Sequence, residues 1–208
     1  MYAIITDGSI SRYVNHPRPL VIGDVQYPAR IFSAWTASEL AAIGIIEITF
    51  DNSNKKDERW YNNTNQSYTY DASAGTVTAA YGTATAKAHA DSLFTAQDET
   101  DGLGTEGEVK AEGLKTVLIR SVKNQAKALL NQTDWYITRK AEKNTAIPSA
   151  ITTWRDGIRT KQAAMETSIT NASNTPALET LYTYVNTADE GDPVVKARPL
   201  GEFPELGS

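Results

Sequence analysis

Several residue types that build reactive sites are missing or scarce in this 208-residue chain, which has no cysteine and two histidines. Disulfide bonds, thiolate metal centres and cysteine nucleophiles are excluded, because each needs a thiol. His16 and His89 lie far apart, and neither has a second histidine one helical turn away, so no histidine metal site is predicted. A glycine-rich phosphate loop, a nucleophile elbow and a Ser-His-Asp grouping are also missing. We therefore expect a protein that is not an enzyme and that needs no cofactor.

An excess of positive charge and long apolar runs are lacking as well. Lysine and arginine total 20 against 25 acidic residues, which gives a net charge of -5 and a pI of about 5.1. This balance disfavours nucleic-acid binding, which needs basic surface to displace counterions from phosphates. No run of about 18 apolar residues occurs, and the N-terminus has neither the basic region nor the apolar core of a signal peptide. We expect a soluble chain that acts in a reducing cytosol, or belongs to something assembled there, without binding nucleic acid or membrane.

The N-terminal part has the pattern of short strands joined by tight turns. Asp7-Gly8 separates YAIIT from SISRYV, and this pair suits a two-residue type I′ turn. LVIGDVQYP repeats the pattern around Gly23-Asp24. Thr36 and Glu39 then have the spacing of a capping box, and Gly44 stands where a left-handed residue would end the helix. The pattern predicts one helix of about two turns, followed by the strand IIEITF.

Four aromatic residues flank the turn-rich segment NNTNQ. Trp60 and Tyr61 precede it, and Tyr68 and Tyr70 follow at alternate positions, which predicts a hairpin with an aromatic face. Two interpretations remain open. An exposed strip would bind a protein partner or a sugar, whereas strand alternation favours two of the four rings covering the core. On this basis residues 1–92 form an antiparallel β-rich domain, and the complete chain belongs to the α+β class.

The residue chemistry then changes. ATAKAHADSLFTAQ is alanine-rich and predicts a helix, and the acidic, glycine-containing residues 93–108 predict a hinge. The hinge fails as a calcium-binding EF-hand loop, because Gln97 would be the first ligand and Gly104 would take the apolar position.

Apolar residues recur at intervals of three and four along the C-terminal part, which predicts two long helices. Thr175-Pro176 opens a third, shorter helix. Residues 109–190 are therefore predicted to form a helical hairpin plus a further helix. Residues 191–208 contain three prolines and no periodicity, so we expect an extended, exposed tail, either loose or laid against a partner. The two helical stripes are Leu114, Val117, Leu118, Val122, Ala126, Leu129 and Leu130 for the first, and Ile151, Trp154, Ile158, Met165 and Ile169 for the second.

A series of motif residues spans the two long helices and resembles a known family. The series contains, in order, Leu129-Leu130, Thr133-Asp134-Trp135, Arg139, Ile147-Pro148, Trp154-Arg155 and Ile158-Arg159. It resembles the pattern of bacteriophage tail assembly chaperone and tail-fibre assembly domains. The chain departs from that pattern at Gly157-Ile158, where a leucine usually precedes the second arginine, and by a longer insertion before Ile147-Pro148. The segment YPARIFSAWTASELAAIGI is similar to phage proteins of the same kind.

The residues of this series also have physical roles that do not depend on the resemblance. Thr133 or Asp134 is expected to cap the turn after the first long helix, and Pro148 to open the second. Trp135, Trp154 and Ile158 are expected to pack together between the helices. Arg155 and Arg159 stand one turn apart, able to pair with Asp134, with Glu142 or with a partner's carboxylate. Pure packing and partner binding by the two arginines both remain open.

The resemblance implies a phage protein that binds a tail fibre and assists its folding or assembly, in the host cytoplasm or retained in the virion tail. One alternative is a permanent virion component, a tail adaptor or fibre-tip protein, whose arm from Asp192 to Phe203 laces neighbouring subunits together. Another is a carbohydrate-binding tip that uses the tyrosines. Whether the chain forms a homo-oligomer stays open.

Overall fold

The computed structural model describes residues 1–190 and 192–207 and divides the chain into two compact units, Met1–Thr85 and Ala86–Ser208. Strands dominate the first unit and helices the second, so the predicted α+β class is confirmed. The division falls before the predicted domain boundary at residue 92, and residues 93–108 lie inside the second unit.

The first unit is built on a five-stranded sheet of order β2-β1-β5-β8-β7. All neighbours in this sheet are antiparallel except β5 and β8, which are parallel, so the sheet is mixed where the sequence predicted an antiparallel one. Residue alternation along a strand does not depend on the direction of its neighbour, so the pattern carried no sign of this pair. The elements are β1 (Tyr2–Thr6), β2 (Ser9–Val14), β3 (Leu20–Ile22), β4 (Val25–Tyr27), α1 (Ile31–Ala34), α2 (Ala37–Ala42), β5 (Ile45–Asp51), β6 (Tyr61–Asn62), β7 (Gln66–Asp71) and β8 (Thr76–Tyr81), with β9 (Thr85–Ala86) at the boundary.

The turn and cap predictions in this unit are confirmed. Asp7 and Gly8 both have positive φ, 51° and 73°, and join β1 to β2. Thr36 accepts a hydrogen bond from the Glu39 backbone N–H (3.3 Å), and the Glu39 carboxylate accepts one from the Thr36 N–H (2.7 Å), which completes the capping box of α2. Gly44 ends this helix region with φ of +81°. The single-turn helix α1 was not predicted.

The aromatic hairpin forms with a different partner from the one predicted. Strand β7, which contains Tyr68 and Tyr70, pairs with β8 and not with the residues that precede NNTNQ. Tyr61 lies in the separate two-residue strand β6, and Trp60 lies in the turn before it. The prediction was wrong because the Asp71–Gly75 turn, where Asp71 accepts from the N–H groups of Ser73 and Ala74, closes a tighter hairpin.

In the second unit, the alanine-rich segment after β9 is not helical, contrary to the prediction. Its backbone is used to start a later helix, because the carbonyls of Ala88 and His89 accept from the N–H groups of Leu114 and Lys115 (both 2.9 Å). Asp91 adds its carboxylate, which accepts from the Gly113 N–H (2.7 Å). The elements are β10 (Ser92–Leu93), α3 (Ala96–Thr100), β11 (Val109–Ala111), α4 (Leu114–Asn131), α5 (Asp134–Lys143), α6 (Ser149–Asn171), α7 (Thr175–Tyr182), β12 (Val185–Asn186) and β13 (Lys196–Ala197).

The segment predicted to be a hinge contains ordered elements. Strands β10 and β11 pair on either side of it, and α3 begins with a second capping box, formed by Thr95 and Asp98. Lys110 donates to the Asp98 carboxylate at 2.6 Å. This hydrogen bond, followed by those from Thr95, lowers the pKa of Asp98 from 3.8 to about 2.

Helices α4 and α6 pack antiparallel, as the predicted hairpin requires. Near one end of the pair, Lys115 donates to the Thr170 carbonyl, and Lys123 pairs with Glu166 further along. At the other end, Arg155 donates to the Leu130 carbonyl in the last turn of α4. Six of the twelve predicted stripe residues are buried, five are half-buried, and Val117 is exposed. Helix α7 begins at Thr175 with Pro176 in its first turn, as predicted. The buried stripe residues are Val122, Ala126, Trp154, Ile158, Met165 and Ile169.

The C-terminal residues are mostly exposed, as predicted, but single apolar residues among them are fixed against the second unit. Strand β13 pairs with β12, Leu200 is buried, and Phe203 packs on the cluster formed by Ala126, Trp154 and Ile158. The prediction missed these contacts because prolines interrupt periodicity without preventing burial of single apolar residues. Gly191 and Ser208, which belong to the predicted tail, lie outside the described residues.

Candidate functional site

The motif residues between α4 and α6 separate into a buried clamp and an exposed helix. The clamp is centred on Arg155, which is 6% exposed. Its guanidinium donates to the Leu130 carbonyl (2.8 Å) and the Thr133 hydroxyl (2.7 Å), and it pairs with the Asp134 carboxylate (2.8 Å). The clamp therefore joins the end of α4, the start of α5 and the body of α6.

Arg155 consequently does not face a partner, and that prediction is corrected. The expected pairing with Asp134 is confirmed. The Arg155 guanidinium can be buried because the Leu130 carbonyl and the Thr133 hydroxyl accept its hydrogen bonds there. Arg159, one turn later, has a side chain that is 52% exposed and pairs with Asp156 on the same helix (3.0 Å). Thr133 is buried, and its hydroxyl donates to the Leu130 carbonyl (3.1 Å). Pro148 precedes the first residue of α6, as predicted.

Helix α5 follows the clamp and has no buried residue. Trp135 is 50% exposed, so the predicted packing of its ring against Trp154 between the helices is wrong. Its indole instead stacks on Tyr136 with the ring centroids 3.7 Å apart. The Arg139 guanidinium lies over both rings, 4.7 Å from the Trp135 centroid and 5.2 Å from that of Tyr136. An indole stacked on its own helix stays at the surface.

These three side chains belong to a larger surface, which we call the α5 face. At 100° per residue, positions 135, 136, 139, 140 and 143 fall within one side of the helix. The face therefore combines two aromatic rings with three cations, and one carboxylate, Glu142, falls at its border about 20° from Trp135. The residues of the face are Trp135, Tyr136, Arg139, Lys140 and Lys143.

Trp154 is buried, at 7% exposure, and holds the C-terminal residues against α6. Its indole N–H donates to the Pro204 carbonyl (2.9 Å). Gly157 lies beneath the same proline, where an added Cβ would come within 3.3 Å of the ring. A groove of about 660 Å³ runs along this contact, lined by the first turns of α6 and by residues 204–207. Ile158 is fully buried in the same cluster, as predicted.

The four aromatic residues of the first unit do not form an exposed strip. Trp60 is 3% exposed, which excludes it from direct partner contact. Tyr68 and Tyr70 are half-buried and pack on the cluster around Ala3, Val77 and Ala79, in keeping with the core interpretation. Tyr61 is also half-buried.

The two edge strands of the first unit's sheet meet through their side chains. The Tyr68 ring on β7 contacts the Tyr13 ring on β2, with centroids 4.7 Å apart. The small residues Ala3 and Ala79 stand opposite these tyrosines on the neighbouring strands and leave room for the rings to meet. Tyr68 is therefore covered in part by Tyr13, which is itself 41% exposed.

A second, smaller groove of about 370 Å³ lies in the first unit beside α1 and α2. Its walls are mostly aliphatic and aromatic, and Tyr2 and Phe32 contact each other there at 4.8 Å between ring centroids. Glu47 is its one charged lining residue. The groove carries no cluster of groups suited to catalysis.

Neither a metal site nor a membrane-spanning helix occurs in the described residues, 1–190 and 192–207. Within them, no three histidine or acidic side chains cluster in a way that would hold a metal ion. No helix there combines the length and the apolar character that crossing a membrane requires. The best candidate for a binding site is thus the α5 face, whose aromatic rings and cations can contact the surface of another protein.

Sequence reasoning placed Trp135, Asp134 and Arg139 in a motif but missed the helix that contains them. The apolar residues of α5 are consecutive, at Trp135, Tyr136 and Ile137, so they make no amphipathic stripe. The available signal was the spacing of Trp135 and Arg139, four residues apart, which suits a cation stacked on a ring. Comparisons of the chain with protein-family models, with curated proteins and with solved structures find no match.

Proposed function

We propose that this chain is a non-enzymatic phage tail protein that binds a tail fibre through the α5 face and assists its folding or assembly. The observation that supports this most directly is the half-exposed Trp135, stacked with Tyr136 and Arg139 on a helix without buried residues. Tryptophan, tyrosine and arginine are the residues that dominate the energetics of protein interfaces.

The clamp supports the proposal because it positions the face. Arg155 holds the first residue of α5 through Asp134 and the preceding residue through the Thr133 hydroxyl. A helix of ten residues with no buried side chain has little tertiary packing to stabilise it. Fixing its N-terminal end lowers the entropy that a partner would have to remove on binding.

A tail fibre offers a physical reason for such a partner. Fibre chains rich in β structure expose strand edges and apolar surface before they associate, and these invite incorrect pairing. A protein that binds the assembly-competent chain shifts the population toward it by mass action. Such binding needs neither a cofactor nor a reaction, and it takes place in the host cytoplasm during assembly.

The alternative, a permanent component of the virion tail, uses the same α5 face and differs in whether the chain stays bound. The feature first assigned to it, a lacing arm from Asp192 to Phe203, receives less support. Leu200 and Phe203 pack within the chain's own second unit, so the end of the arm is already occupied. Carbohydrate binding loses its basis, since Trp60 is buried and the tyrosines are half-buried.

Co-expression with a tail-fibre chain of the same phage tests the proposal. We expect soluble trimeric fibre with the wild-type chain and a strong reduction with Trp135→Ala. Leu103→Ala is the matched control, because Leu103 is a large apolar side chain of the same unit, 61% exposed and outside α5. Equal fibre yields without this chain, or with Trp135→Ala, would contradict the proposal. Mass spectrometry of purified particles then separates a transient chaperone from a stoichiometric virion component.

A further inference from the structure

We infer, on the basis of the proposed function, that the α5 face binds an acidic segment of its protein partner, in which carboxylates alternate with apolar side chains. The face is an aromatic surface surrounded by cations, and its charge is opposite in sign to that of the chain as a whole. Residues 135–143 contain three cations, Arg139, Lys140 and Lys143, and one acidic residue, Glu142, whereas the net charge of the whole chain is -5.

The cations of the α5 face are unpaired within the described part of the chain. No ion pair there includes Arg139, Lys140 or Lys143. By contrast, the neighbouring arginines of α6, Arg155 and Arg159, both have a carboxylate. The positive charge of α5 is therefore free to pair with a partner's carboxylates.

The stacking of Arg139 prepares it for carboxylates. A guanidinium that lies over aromatic rings is held in one orientation, while hydrogen bonds form in its own plane at the edge. A carboxylate binds such an edge through two parallel hydrogen bonds. Trp135 and Tyr136, beside it, offer apolar surface to the side chains that flank the carboxylate.

The negative charge of the remaining chain favours binding of an acidic partner segment at the α5 face and not elsewhere on the protein. An acidic segment is repelled by a protein of net charge -5 and is attracted to the part where cations concentrate. The same cations would attract a nucleic acid, but that partner meets the repulsion along a much longer chain of phosphates. We therefore assign the face to an acidic protein segment, and nucleic-acid binding becomes an outcome of the test.

The experiment measures fluorescence anisotropy of the full chain with a labelled amphipathic peptide built from glutamate and leucine. The comparison probes are the same peptide with lysine at every glutamate position and a single-stranded oligothymidine. We expect the acidic peptide to bind at least about tenfold more tightly than either comparison probe, with affinity that falls as salt rises. Equal binding of the two peptides, or tighter binding of the oligothymidine, would overturn the assignment.

Variants locate the binding on α5. The double substitution Lys140→Glu with Lys143→Glu should weaken the acidic peptide about tenfold or more. The double substitution Lys56→Glu with Lys196→Glu changes net charge equally at exposed positions outside α5 and should leave the affinity within about twofold. Trp135→Ala should weaken binding about 30-fold, as expected for an aromatic hot spot. Equal losses in the two charge variants would mean non-specific attraction and would overturn the assignment.

The peptide and fibre experiments fail independently. If Trp135→Ala abolishes soluble fibre while the acidic peptide shows no preference, the partner chemistry is wrong and the proposed function stands. If the peptide binds as expected while the yield of soluble fibre is the same with and without this chain, the inferred binding chemistry of the α5 face stands and its assignment to a tail fibre fails.

Discussion

Replacing Arg155 by methionine is the most decisive perturbation of the clamp. Methionine keeps most of the apolar stem, so the change removes the guanidinium and little packing. Three interactions are lost, to the Leu130 carbonyl, the Thr133 hydroxyl and the Asp134 carboxylate. The Leu130 carbonyl and the Thr133 hydroxyl lie beside a residue that is 6% exposed, so water does not easily replace the lost guanidinium as their hydrogen-bond donor.

The expected cost follows from the burial of the partners. A net hydrogen bond that involves a charged group contributes about 1.5–3 kcal/mol, and breaking a fully buried pair costs about 3–5 kcal/mol. Asp134 is 51% exposed and regains water, so we place Arg155→Met at about 2–4 kcal/mol. Removing only the carboxylate, by Asp134→Asn, should cost about 1–3 kcal/mol, because the buried Arg155 guanidinium loses its counter-charge while the Asn amide oxygen can still accept a hydrogen bond.

Urea unfolding followed by circular dichroism at 222 nm measures these costs, because the helices of the second unit dominate the signal. Arg159→Met is the matched control on the same helix, one turn later, and should stay within about 0.5 kcal/mol because its side chain is half-exposed. The midpoint should fall for Arg155→Met with the m-value unchanged. Equal effects of Arg155→Met and Arg159→Met would refute the clamp.

Three further predictions concern other parts of the chain. Trp154→Phe removes the indole donor to the tail and should cost about 1 kcal/mol, with faster proteolysis after residue 198 as the measure. Gly44→Ala should cost the first unit about 1–3 kcal/mol in thermal unfolding, more than Gly75→Ala, since both have positive φ but only position 44 places a Cβ 2.7 Å from a carbonyl oxygen. Asp98 should titrate near pH 2 by NMR, and Lys110→Met should move its pKa toward 3.8. The Asp98 interactions thus stabilise the fold fully above pH 3.8 and are lost as pH falls toward 2, so stability that rises on acidification would contradict the assignment.

The parts of the fold predicted correctly are those whose signals are local. The Asp7-Gly8 turn, the Thr36/Glu39 capping box and Gly44 each depend on residues within a few positions of one another. The parallel pairing of β5 with β8 depends on contacts between distant segments, which alternation does not encode. The alanine-rich segment shows the same limit, since its carbonyls serve the distant start of α4 instead of a helix of their own.

In the candidate site, the local pairing of side chains could be predicted from the sequence, but the burial of those side chains could not. The residue types of the clamp suggested the pairing of Arg155 with Asp134, but burial of Arg155 depends on how α6 meets the end of α4. For tryptophan, residue type does not decide exposure. Trp60 and Trp154 are buried while Trp135 is half-exposed, and the difference lies in tertiary packing that sequence spacing does not show.

The indole N–H signals of the four tryptophans provide the most direct test of binding through α5. In a protein labelled with ¹⁵N-tryptophan, titration with the tail-fibre chain that we propose as its partner should broaden or shift the Trp135 signal. The Trp154 signal, whose N–H is bonded to the Pro204 carbonyl, should remain in place, as should that of the buried Trp60. An unchanged Trp135 signal in a titration that perturbs another tryptophan would contradict binding through the α5 face.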